Sequence, residues 1–253
     1  MRSGIVIAVF HASIMLTYGC MSQVAHKSPC IRGIRIVRQF PVIDTSGVVL
    51  RYDPFETDLY FLGSKRLIQT TYYHATIKTD RETQYPPYRK VYYSFAYSSE
   101  NKYGVLCDSN NLATSRIAPV DSLIGEEWAF KINFDNFFRD NRTWFESANK
   151  DTLGILREEY KFVNKLDPGM SGTLFLSYSH NWEANLTYTM SPQLDSLKHM
   201  KLINVEIIHN ARYLEPTRHF IGKIEIEYKL ESIDNIPQNE ITAIFDNITK
   251  LLK

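Results

Sequence analysis

The chain has 253 residues, with 29 basic and 28 acidic side chains and a formal net charge of +1. That balance leaves no basic excess to neutralise phosphates, which argues against nucleic acid as a partner. Apolar residues make up 44% and charged residues 23%, an ordinary mixture for a globular chain long enough to bury a core.

The first element is a leader. Arg2 gives a basic start, and Ile5 to Leu16 is an apolar run interrupted only by His11 and Ser13. A charged start and an apolar core of roughly 7–15 residues form the layout of an export signal. The run is shorter than the about 20 apolar residues that span a bilayer. Thr17-Tyr18-Gly19 leads directly into Cys20. This Gly19-Cys20 junction after an apolar run resembles the lipobox of bacterial lipoproteins. The resemblance covers the leader alone. It implies that residues 1–19 are removed, that Cys20 is acylated, and that a lipid-anchored chain sits in the cell envelope. Ordinary cleavage near Cys20, giving a secreted soluble protein, is the alternative. Residues 20–29 read as a short tether, and residues 30–253 as one domain.

From there the pattern is mostly strands. Val48 to Tyr52 follows the turn-like Asp44-Thr45-Ser46-Gly47. Asp58 to Leu62 and Arg66 to Ile77 form a hairpin around Gly63-Ser64-Lys65. Val91, Tyr93, Phe95 and Tyr97 alternate with Tyr92, Ser94 and Ala96, and Tyr103 to Cys107 returns beside them. The stretch from Ser122 to Phe138 reads as helix, covering loop or both. Leu153, Leu156, Tyr160 and Val163 fall at helical spacing, with Asp151 or Thr152 as cap. Asp167 to Gly172 is a turn cluster, which marks the best candidate boundary (167–172) within the domain. Three further strands follow, at Leu174 to Tyr178, Leu186 to Met190 and Ile203 to Ile208. The clearest strand sets Ile224, Ile226, Tyr228 and Leu230 against Glu225, Glu227, Lys229 and Glu231, the pattern of one dry and one wet face. Ile241, Ile244, Phe245, Ile248 and Leu251 form the apolar stripe of a C-terminal helix. These elements predict a mainly β protein, an antiparallel sheet or sandwich with one or two packed helices, with a more evenly mixed α+β domain as the alternative.

Chemistry is harder to find. No P-loop, G-x-G-x-x-G, G-x-S-x-G or H-E-x-x-H motif occurs, so no cofactor or metal is expected. The adjacent pairs Glu126-Glu127 and Glu158-Glu159 read as solvated surface rather than a catalytic carboxylate pair, since neighbours on a strand face apart and cannot flank a scissile bond. Cys30 and Cys107 are an even pair that an oxidising compartment can bridge, with two reduced thiols as the alternative. Tyrosines crowd residues 72–103, and exposed rings on a sheet bind sugars or extended peptides. Tyr92 and Trp182 are the first candidates for such ligand contacts. The reading that results is a non-catalytic, membrane-tethered binding or structural module for a glycan or peptide. An exported hydrolase whose site assembles only in three dimensions is the alternative.

Overall fold

A computed structural model describes residues 30–44, 46–74, 89–108, 115–182, 188–214 and 219–251. The leader and the whole tether, Cys20 included, lie outside these residues.

The strands are β1 (Arg32–Ile43), β2 (Val49–Leu62), β3 (Lys65–His74), β4 (Arg89–Ser98), β5 (Tyr103–Asp108) and β6 (Arg116–Pro119), followed by β7 (Asn141–Lys150), β8 (Leu156–Asn164), β9 (Ser171–Ser179), β10 (Lys201–His209), β11 (Arg212–Leu214), β12 (His219–Ile221) and β13 (Ile224–Ser232). Eleven of them make one antiparallel sheet in the order β6-β5-β4-β3-β2-β1-β13-β10-β9-β8-β7, and β11 and β12 pair separately. The fold is therefore mainly β. Two meanders meet in the middle, because the last strand, β13, inserts between β1 and β10. Ile31–Lys253 forms one compact unit. The Asp167–Gly172 cluster lies at the turn between the paired strands β8 and β9, where Asn164 Oδ1 accepts the N–H groups of Leu166 and Asp167, both at 2.9 Å.

Alternation sorts side chains between the two faces. On β9, Gly172, Leu174, Leu176 and Tyr178 are buried, and their neighbours are half-buried. They join Ile34, Ile36, Leu59, Ile68, Phe95, Val205 and Leu230 in the main core. That face is covered by α1 (Val120–Glu126), a 3-10 turn at Trp128–Lys131, α2 (Asp135–Asp140) and α3 (Pro192–Lys198). The other face carries a second, smaller core under α4 (Gln238–Leu251), where Ile241 and Phe245 pack on Tyr60, Leu67, Ala96 and Val105. Burying side chains of this size contributes about 1.5–3 kcal/mol each. Gln238 ties the start of α4 to β1, accepting the Ile31 N–H at 3.1 Å and donating to its carbonyl at 3.0 Å. Beyond the helix this second face is wet and carries pairs such as Arg157–Glu206 at 2.9 Å and Lys229–Glu231 at 2.7 Å.

Two expectations need correction. The segment expected as a helix from Leu153 to Val163 is a turn followed by β8. Asp151 does cap backbone N–H groups, at Leu153 (2.9 Å) and Ile155 (2.8 Å), but it closes a hairpin whose Gly154 sits at φ +81°. Pairing on both sides, with β7 and β9, overrides the helical spacing. Tyr188 to Met190, expected as strand, is a buried irregular strap over the sheet, while residues 183–187 lie outside the described residues.

Candidate binding site

The cover is pinned to the sheet by a carboxylate. Glu127 starts the 3-10 turn, and its Oε1 accepts the Ala129 N–H at 3.4 Å. Thr57 on β2 donates to Oε1 at 3.1 Å, and Thr70 on β3 donates to Oε2 at 2.9 Å. The two threonines are direct cross-strand partners with hydroxyl oxygens 3.0 Å apart. All three side chains are fully buried. Each hydroxyl has one proton, so an ionised Glu127 takes both and leaves none for the contact between the threonines. Burial pushes the Glu127 carboxyl above the ordinary carboxylate range, opposed by the Thr70, Ala129 and Thr57 donors and by the Lys131 charge. The strap adds two stitches. Tyr188 donates its hydroxyl to the Ala129 carbonyl at 2.6 Å, and Phe134 N–H donates to the Met190 carbonyl at 2.9 Å.

Between this cover and the strands lies a cavity of about 210 Å³. It is lined by Leu59 and Phe61 from β2, Arg66 and Ile68 from β3, Tyr97 from β4, Phe130 from the cover, and Tyr188 and Thr189 from the strap. Phe130 and Tyr188 meet edge to face at 5.9 Å, and Tyr97 stacks on Phe95 at 6.0 Å. Among the described residues Arg66 is the one charged member of the lining. Its guanidinium lies 4.9 Å from the centre of the Phe61 ring. It donates to the carbonyls of Gly63 (2.6 Å) and Lys65 (2.9 Å) at the β2–β3 turn. Among the described residues no carboxylate pairs with it. Burial raises the Tyr97 hydroxyl pKa, and the Arg66 charge partly offsets this. An apolar hollow with one half-buried cation suits a small, largely apolar molecule with an acidic end.

A second polar centre lies under α3. Glu158 on β8 is buried, and it accepts from Lys198 Nζ at 2.5 Å and from Tyr160 Oη at 3.0 Å. Its neighbour Tyr178 is fully buried, with its hydroxyl pKa raised by burial and by the Glu158 charge. Asp195, also on α3, accepts from the Leu202 N–H and the Thr189 hydroxyl, at 2.7 and 2.6 Å, and pairs with Lys201 at 2.9 Å.

Of the residues singled out from the sequence, Cys20 lies outside the described residues. Cys30 is exposed just before β1, and the side chain of its expected partner, Cys107 on β5, lies outside them too. Tyr92 stands opposite Thr71 in the β3–β4 ladder, and its side chain is likewise not described. Trp182 is half-buried against the main core, with its Nε1 buried and unpartnered. Glu127 and Glu158, expected at the surface, are both buried. The reading of sequence neighbours as facing apart does hold at Glu158 and Glu159, since Glu159 lies on the wet face with Lys161. Arg66 was not singled out from the sequence; an arginine directly after a turn glycine and lysine carries no distinguishing signal. Among the described residues no three His, Cys, Asp or Glu side chains are grouped to hold a metal, and no helix is long and apolar enough to cross a membrane. No family model matches the chain, and no curated protein matches its sequence.

Proposed function

We propose that this chain is an exported envelope lipoprotein, anchored through Cys20, that binds a small apolar molecule bearing an anionic group. The observation that carries this reading is the cavity beneath the cover, apolar on its walls and with Arg66 as its one charge among the described residues. The volume supports a modest ligand, because an apolar cavity of about 150 Å³ already accommodates benzene. A medium-chain or monoaromatic carboxylate matches both size and charge. The acidic end pairs with the outward side of the Arg66 guanidinium, whose Nη1 is already held by turn carbonyls and so needs little reordering.

Two measurements test the two parts of this reading. The first titrates octanoate, octanol and octylamine against the protein carrying a fluorescent apolar reporter. Octanoate displaces the reporter best, and Arg66→Met weakens octanoate about tenfold while leaving octanol unchanged. Equal displacement by all three, or no displacement by any, removes the ligand reading. The second is palmitate labelling in the cell of origin. Label enters the wild-type chain and is absent from Cys20→Ala; label retained in the variant removes the anchor.

A further inference from the structure

The two edges of the sheet differ. β6 is four residues long and ends in Pro119, which cannot donate to a ladder. β7 is ten residues long and pairs with β8 on one side; among the described residues nothing pairs with the other. A long open edge offers unpaired N–H and C=O groups to another strand. Here the middle of that edge is also apolar, with Trp144 51% exposed and Phe145 57% exposed. Arg142 and Glu146 flank Trp144 at equal distance, are both exposed, and form no ion pair among the described residues.

We propose that β7 is a self-association edge, on which a second copy of this chain adds its own β7 antiparallel across a two-fold axis at Trp144. In that register Trp144 meets the partner's Trp144, and Arg142 stands opposite the partner's Glu146, twice by symmetry. The charges select the register. Centring one residue later sets Arg142 against the partner's Ala148, and centring on Glu146 sets it against the partner's Lys150, a like charge. The two-fold passes through a residue rather than between two, so it is compatible with Trp144 in either a hydrogen-bonded or a non-hydrogen-bonded pair. Glu146 falls at the register shift in β7 between Phe145 and Ser147, so the new ladder runs from Arg142 to Glu146, ends there and is short. The occupant is a second copy rather than an unrelated peptide because the Arg-x-Trp-x-Glu segment is complementary to itself when reversed. Anchoring in one membrane would raise the effective concentration for this step, but the edge does not depend on the anchor or on the ligand cavity.

A charge-swap experiment on the full chain decides it. Sedimentation of the wild type shows a concentration-dependent dimer. Arg142→Glu and Glu146→Arg each raise the dissociation constant at least tenfold, because each homodimer then faces like charges twice. Mixing the two variants in equal amounts restores dimerisation to within a few-fold of wild type, as every facing pair is again opposite in sign. Trp144→Lys remains monomeric alone and in any mixture. A wild type that stays monomeric at every concentration overturns the proposal. So does a mixture that stays monomeric while the wild type dimerises, or an Arg142→Glu chain that dimerises as the wild type does. Circular dichroism matching the wild type shows that the variants are folded, and the mixture requires it.

Discussion

The covered face of the sheet buries a glutamate in each half, and the two are held in opposite ways. Glu127, over the first meander, has only neutral donors among the described residues: two threonine hydroxyls and one backbone N–H. Glu158, in the second, is met by the Lys198 ammonium at the end of α3 and by the Tyr160 hydroxyl. A carboxylate without a counter-ion bears its desolvation directly, and its protonated form gains ground. A carboxylate with a cation keeps its charge but makes that cation indispensable. The cover of one half is thus a titratable latch, and that of the other an ion pair bolted through a helix.

The largest break in this comparison is Lys198→Met. It leaves Glu158 buried and uncompensated, and costs about 3–5 kcal/mol in denaturant unfolding. Adding Glu158→Leu in the same chain recovers most of the loss, because an apolar pair of similar volume replaces the ionic one; a double variant no more stable than the single would show that the pair stabilises in its own right. Glu127→Gln is the gentle counterpart. The amide can accept from one threonine and donate to the other, so stability at neutral pH changes by no more than about 1 kcal/mol. Its distinguishing mark is pH dependence. Because the folded-state pKa of Glu127 lies above its ordinary value of 4.5, the folded chain holds a proton that the unfolded chain releases. The stability linked to that proton is complete below 4.5 and is lost as pH rises through the higher folded value. Glu127→Gln flattens that decline, and Lys198→Met leaves it in place. Unfolding curves at several pH values between 4 and 8 separate the two.

The strands were legible where one face is continuously apolar. β13 and β9 show uninterrupted period-2 alternation, and the terminal helix shows its stripe. β8 was misread because Glu158 occupies an inward position between Leu156 and Tyr160, so the inward row is broken, while the outward Val163 completes a helical spacing. The site was largely illegible for a related reason. Glu127 is buried by Thr57 and Thr70, which lie 70 and 57 residues earlier in the chain. Nothing local at Glu126-Glu127 distinguishes a carboxylate that will meet hydroxyls from one that will meet water. Arg66 acquires meaning only when Phe130 and Tyr188 close the cavity beside it.

The placement of β13 has a consequence for how the molecule comes to exist. Ile34 pairs with Ser232, and Gln39 with Glu227, so the seam joining the halves closes over almost the whole length of the chain. As the polypeptide emerges from a ribosome, each meander can zip locally, yet both keep a raw inner border until the last strand arrives. Such distant pairing is slow to find. A nascent chain in this condition is a client for a holding chaperone, and a stop codon a few dozen residues early would strand two half-sheets with nothing between them.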